Sequence, residues 1–390
     1  MGSKSAVNNV LNHIQPEYIP LGTYAIDCDT AARLLGRETY VRNRIKTQIA
    51  LWEGRRDEVA QSLKEDSVEL FNKLDVIDVI IVFKETMLLP PVDYVPPKVR
   101  QIDDESWETE DGYVYKCSYL TNDITCVSGP ARQNDENMYE DIDEENDEYD
   151  QNDEIVINAP DDSVFEAYDH LVEHMKDKRF LAGSSGGFSV MALPGGMQNG
   201  LMQYYLRPNS VKKEIAHSTE VSNRLDKYHI RGGEDQVFVE FDGAITAGPL
   251  LPPEMFREFC LPAMKKRIKN IKKYRDKVMM HSCGNTWKML NMFCEAGVDC
   301  YQSLQTGAGM DMKRLKDEYG DKLCFWGGVS VENLIAGTME EVRNDVRYAI
   351  RHGAPGGGFI LGPSHSIAYG TKYENFMAML DEHSKLKYYS

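Results

Sequence analysis

Lys277-Val278-Met279-Met280-His281-Ser282-Cys283-Gly284-Asn285 runs from a lysine through three apolar residues into an imidazole, a thiol and a glycine. A buried strand opening into a loop has this pattern, which puts the histidine and the cysteine at the strand's C-terminal end. Side chains alternate along a strand, so His281 and Cys283, two apart, point to one side and can hold a metal ion between them. Two ligands do not make a site, and a core histidine beside a buried cysteine reads the same way. Partners at other strand ends decide the matter.

Short apolar runs at 18–26, 76–83, 180–183, 236–241, 277–281, 298–304, 323–327 and 357–361 are the candidate strands. Amphipathic helical patterns lie between them, among them 253–275, 286–296, 311–319 and 338–352. Regular alternation of strand and helix calls for a parallel sheet with helices outside it, and about eight such strands favour a (β/α)8 TIM barrel over an open sheet. The expected organisation is one barrel domain over residues 1–390, its last unit ending near Leu380. Residues 90–159 break the rhythm. Within them, 99–119 alternates polar and apolar positions around Asp111-Gly112, a β-hairpin signature, so this part reads as an insertion with a hairpin and an acidic loop.

The chain has 390 residues, 42% of them apolar, enough for an extensive core, and a formal charge of −18. Residues 134–154 hold twelve Asp or Glu and no Lys or Arg, so the rest of the chain carries only −6. Such a run cannot bury enough apolar area to offset its ordering entropy and reads as a solvated insertion, with docking to a basic partner as an alternative. It lacks the D-x-D-x-D-G spacing of a calcium loop. Excess acid disfavours nucleic acid and acidic membrane surfaces as partners. No apolar run reaches the roughly 20 residues that span a bilayer, and the N-terminal residues show no signal-peptide pattern, so a cytoplasmic enzyme is expected. The eight cysteines are scattered without framework spacing, as reduced thiols are.

In a barrel, chemistry sits at the C-terminal ends of the strands. That filter selects Glu240 and Asp242, His281 and Cys283, Gln302 and Gln305, Gly327-Gly328, and His365. Two imidazoles, a thiolate and carboxylates match zinc's preference for N, S and O donors, although His365 suits an anionic substrate equally. Cys324 falls at a strand start and is excluded as a ligand; Cys294 and Cys300 read as structural. Gly183-Ser184-Ser185-Gly186-Gly187-Phe188 and Gly195-Gly196-Met197 can let backbone approach a ligand, but fit neither the dinucleotide nor the Walker pattern. Pro355-Gly356-Gly357-Gly358 makes a turn. Phe188, Met191, Met197, Met202, Tyr204 and Tyr205 can wall an aromatic substrate, or pack as any helix does.

The series His281-Ser282-Cys283-Gly284-Asn285, Glu295-Ala296-Gly297-Val298-Asp299, Tyr319-Gly320-Asp321-Lys322, Gly327-Gly328-Val329 and Gly357-Gly358-Phe359-Ile360-Leu361 resembles the uroporphyrinogen decarboxylase superfamily. Asp242 with Gly248-Pro249-Leu250 and Pro252 does so too, as does the opening Leu11-Asn12-His13-Ile14-Gln15-Pro16-Glu17-Tyr18-Ile19-Pro20. The resemblance implies a (β/α)8 barrel. Decarboxylases of this superfamily carry arginine just after the first strand, whereas here Gly22-Thr23-Tyr24-Ala25-Ile26-Asp27-Cys28-Asp29 has two acids and no arginine, and a polyanion would be repelled. The other branch, corrinoid-dependent methyltransferases, holds zinc with an H-x-C pair and a later cysteine. His281 and Cys283 match the pair, and His365 stands where the later cysteine would be.

The resemblance therefore implies a zinc-dependent methyltransferase that moves a methyl group from a methoxylated substrate, an aryl methyl ether, to the cobalt of a separate corrinoid protein. Zinc would rest on His281, Cys283 and His365, with Glu240 or Asp242 as a further ligand or proton donor. Tyr205, Met197 and Gln302 are the expected substrate contacts. The alternatives are methyl transfer the other way, from a methylated corrinoid to a thiol such as coenzyme M, decarboxylation of a smaller substrate with His365 and Asp242 as its groups, and a non-catalytic scaffold. A homodimer is compatible with this reading.

Overall fold

The computed structural model describes residues 2–130 and 155–389; the acidic run at 134–154 lies outside them. Eight parallel strands follow one another around a barrel: β1 (Gly22–Thr23), β2 (Val79–Ile81), β3 (Phe180–Gly183), β4 (Gln236–Glu240), β5 (Val278–His281), β6 (Cys300–Ser303), β7 (Cys324–Val329) and β8 (Phe359–Pro363). A parallel bridge between Leu21 and Leu361 closes the ring, with the Leu361 amide donating to the Pro20 carbonyl at 2.9 Å. The fold is the expected (β/α)8 barrel.

Each strand alternates between the barrel interior and the helical shell. Phe238, Met279, Cys300, Cys324, Trp326 and Ile360 share the inner cluster, while their neighbours Val237, Val278, Tyr301, Phe325 and Leu361 pack against helices. Helix Ser3–Leu11 plugs the lower end through Val7, Val10 and Leu11. It is pinned to the strand entries by Ser3 Oγ donating to Asp78 at 2.7 Å and by the Lys4–Asp235 ion pair at 2.8 Å.

Three local departures from the sequence reading have physical causes. β8 starts two residues later than expected, because Gly356, Gly357 and Gly358 all take left-handed φ angles of 78°, 79° and 69° and continue the turn. The helix expected over 253–275 is interrupted by a π turn at Phe256–Cys260 before resuming at Leu261–Ile271; Pro262 has no amide proton to continue the α ladder. The hairpin around Asp111-Gly112 exists, as Ser106–Thr109 against Val114–Ser118, but within a sheet of four antiparallel strands that also takes in Val99–Asp103 and Asp123–Ser128. Trp107 and Cys117 of this sheet pack on Ile45, Ile49 and Trp52 of helix Arg44–Trp52.

The glycine-rich run after β3 serves packing. A Cβ on Gly183 would lie 2.7 Å from the Tyr168 hydroxyl, and one on Gly186 would lie 2.4 Å from the Ser222 carbonyl of helix Pro208–His229. The Gly186 amide donates to Asp226 at 2.9 Å, and the Gly187 carbonyl accepts from Arg267 at 2.7 Å. Arg267 and Asp226 are fully buried and joined by two bonds of 2.7 and 2.9 Å. Removing one partner strands a buried charge. Asp226→Ala is expected to destabilise the fold by about 3–5 kcal/mol, read as a lower urea midpoint with an unchanged slope.

Candidate functional site

The inward positions that follow the apolar layer along β4, β5 and β6 are Glu240, His281 and Gln302, which the strand registers set side by side. His281 is buried, and its Nδ1 is hydrogen-bonded to Oε1 of the fully buried Gln302. An amide oxygen can only accept, so Nδ1 carries the proton and the neutral ring keeps its lone pair on Nε2. Burial pushes the His281 pKa down, which favours that neutral ring. Gln302 thus sits behind the histidine and orients it, and is not part of the cavity wall where a substrate contact would lie.

Asp242, His281 and Cys283 offer one ligand atom each, all within 4.8 Å of one another. Cys283 Sγ lies 3.8 Å from Asp242 Oδ1. His365 follows β8, its ring edge-on to that of His281 with centroids 5.5 Å apart and its Nδ1 3.1 Å from Ser366 Oγ. The sequence reading named His365 as third ligand and Asp242 as an auxiliary; among the described residues the convergent set is instead Asp242, His281 and Cys283. Burial, followed by the neighbouring His281, takes the His365 pKa down to about 4.

The loop that carries Cys283 is fixed from three sides. Gly284 has φ +80°, and a Cβ there would come within 2.7 Å of the Ile245 carbonyl. Its amide donates to Gln305 at 2.9 Å, and the Asn285 amide donates to Ile245 at 2.9 Å. Beneath it, the buried Tyr301 hydroxyl donates to the Ser282 carbonyl at 2.8 Å.

Tyr24, just after β1, lies flat on His281 with ring centroids 4.4 Å apart and donates its hydroxyl to Glu240. Burial raises the Glu240 carboxyl, and the nearby Asp242 adds to the effect. The only sequence signal for Tyr24 was an aromatic residue at a strand end. These groups open on a cavity of about 530 Å³, walled by Tyr24, Phe83 and Leu89, by Arg42 and Arg44, and by Ile124 of the four-stranded sheet. Tyr205 and Met197 lie elsewhere: on helix Gly196–Leu206, 69% and 56% exposed, outside this lining.

The donor set fits a divalent cation by its charge as well as its spacing. Burial raises the Cys283 thiol pKa, and the charge of Asp242 raises it further, a conflict that a bound cation reverses. Removing the Asp242 charge lowers the thiol pKa, so at a fixed pH below it the thiolate fraction grows. In metal-free protein, Asp242→Asn is expected to speed iodoacetamide alkylation of Cys283, followed by peptide mass spectrometry between pH 7 and 9, and to move the rate profile to lower pH.

The chain's residues 135–386 match the family model described as uroporphyrinogen decarboxylase (URO-D). A curated relative, the methylated-thiol–coenzyme M methyltransferase of Methanosarcina mazei, is 27% identical over 192 residues, which is 49% of each chain. The match thus spans about half the length of that relative. Among solved structures, a methyltransferase from Methanosarcina mazei superposes with a TM-score of 0.62 at 15% identity, covering 99% of both chains, a likeness of fold. With the family model covering well over half the sequence, the chain belongs to the uroporphyrinogen decarboxylase family.

Proposed function

We propose that the protein is a zinc-dependent methyltransferase that passes a methyl group from a methoxylated aromatic substrate to the cobalt of a corrinoid protein, on a single barrel in which 90–159 is an insertion. The observation that carries this reading is the convergence of an aspartate oxygen, a histidine nitrogen and a cysteine sulfur at the barrel mouth. The N, O and S donors suit zinc, and three protein ligands leave a position open, as in catalytic sites. Asp242, His281 and Cys283 would hold the ion, with His365 at hand as a further imidazole. Zinc bound there supplies a Lewis acid toward the oxygen that loses its methyl group.

The chain's own groups do the rest. Gln302 keeps the His281 Nε2 free of a proton. Tyr24 and Phe83, edge to face at 4.9 Å, form an aromatic wall for a flat ring. Glu240, its carboxyl raised by burial, holds a proton to higher pH than an exposed glutamate and gives it to the departing oxygen. The open mouth of the cavity admits the partner's cobalt. A second reading, with a methylated thiol in place of the ether, is supported by the name of the curated relative.

Purified protein is expected to hold about one zinc per chain, and both Cys283→Ala and His281→Ala to lose it. Gln302→Leu should weaken zinc about 10–100-fold, measured by competition with a chromophoric chelator. Incubation with a reduced corrinoid protein and a methoxybenzene derivative should give the visible spectrum of methyl-cobalt. Methyl-cobalt from a methylated thiol alone would select the second reading, and metal-free active protein would refute the zinc.

A further inference from the structure

Arg42 reaches the cavity from the loop between helices Cys28–Leu35 and Arg44–Trp52. Its φ is +50°, a left-handed conformation rare for a side chain of this size. The surroundings hold it there. Asn122, from the turn before strand Asp123–Ser128, donates to the Arg42 carbonyl at 3.4 Å and to Cys28 Sγ at 3.0 Å. The next residue, Asn43, caps helix Arg44–Trp52 by accepting from the Lys46 amide at 3.3 Å. Strain kept in place by several contacts beside a site points to a use for the side chain.

The guanidinium is oriented from one edge only. Nε donates to Asp27 Oδ1 at 2.6 Å, and Asp27 is itself fixed because its other oxygen accepts from the Tyr369 amide at 3.0 Å. Nη1 and Nη2 make no hydrogen bond to any described residue, although the side chain is only 14% exposed. The guanidinium carbon lies 5.8 Å from the centroid of Phe83 on the same cavity wall. Its charge is felt at Tyr24, Glu85, Glu240 and His365, so it faces the interior of the cavity. Arg44 differs, since its Nη1 is engaged by Asp123 at 3.2 Å and it is 54% exposed. A nearly enclosed guanidinium with its outer fork unfilled is built for the two coplanar oxygens of an oxyanion.

We propose that Arg42 grips an oxyanion on the small substrate, a carboxylate or a sulfonate, so that the substrate class is a methylated molecule with an acidic group away from its methyl. This rests on the methyl-transfer reading for the word methylated, but the anion preference is a property of the cavity itself. The aromatic wall and the fork together suit a ring acid, and the same fork suits a short sulfonate.

Binding measured on the full chain without corrinoid tests it. Isothermal titration is expected to show benzoate binding at least about tenfold tighter than benzamide, its uncharged isostere, or 2-(methylthio)ethanesulfonate preferred by the same factor over 2-(methylthio)ethanol. The first result assigns a carboxylate, the second a sulfonate. Arg42→Gln should bring the ratio to about one, and Arg42→Lys, which keeps the charge but not the fork, should give an intermediate value. A merely structural Arg42 would weaken both members of a pair alike and leave the ratio unchanged. Wild-type ratios near one for both pairs, or a ratio kept in Arg42→Gln, overturn the proposal. Anion selectivity without methyl-cobalt formation would refute methyl transfer alone, and methyl transfer without selectivity would refute the anion site alone.

Discussion

The indole of Trp326 lies where Gly22 and Gly362 have no side chains, and the depth of the site depends on that fit. A Cβ on Gly22 or on Gly362 would lie 2.6 Å from the ring. Between them the indole fills the barrel axis, and Phe238 meets it edge to face at 5.9 Å. A barrel interior filled to this level is a floor. The next inward residues along β4 and β5, Glu240 and His281, face the cavity above, and Gln302 of β6 lies buried behind His281. Tyr24 covers the seam, touching Phe238, Phe83 and His281 at once.

Placing polar groups on an apolar floor drives each toward its neutral form. Burial raises the Glu240 carboxyl and the Cys283 thiol and lowers the His281 and His365 imidazoles. Left to itself, the layer is a set of uncharged donors and acceptors around the Asp242 carboxylate. A divalent cation inverts this logic, because it favours the thiolate and the neutral imidazole together. The same environment that makes Cys283 a poor free nucleophile therefore makes it a good ligand. The orienting bond from Gln302 works in the same direction, by presenting the bare nitrogen of His281 to the cavity.

The strands were legible because their apolar runs alternate with helical patterns, and the strand-end filter picked out Glu240, Asp242, His281, Cys283 and Gln302, which the fold places next to one another. Gln302 was expected to contact substrate because of its residue type, whereas the fold buries it fully against His281 and outside the cavity lining. Tyr205 and Met197 were chosen for composition, and helix Gly196–Leu206 leaves them facing solvent. Tyr24 and Arg42 carry no local motif. Tyr24 reaches the site as the residue directly after β1, and Arg42 from a left-handed backbone position between two helices. The sequence does lack arginine immediately after the first strand; the cation at this mouth arrives instead through chain reversal 13 residues after Asp29, beyond what a local pattern can state.

The two halves of the cavity come from different kinds of structure. Asp242 and His281, which line one side, and Cys283 beside them sit on or just past barrel strands, and a rigid sheet is where donor atoms must be to converge within a few ångströms. The opposite wall is made by Arg42, Arg44 and Ile124, which belong to a loop, a helix and the four-stranded sheet inserted between β2 and β3. Asn122 ties that sheet to the loop at Cys28 and Arg42, so the inserted strands set the conformation of the cation that faces the site. Changes in the insertion can alter what the cavity accepts without moving the donor atoms, whose supports are the strand ladder and the buried Gln302 and Tyr301. The donor atoms and the facing wall therefore rest on separate parts of the chain, the strand ladder on one side and the inserted sheet with its loop on the other.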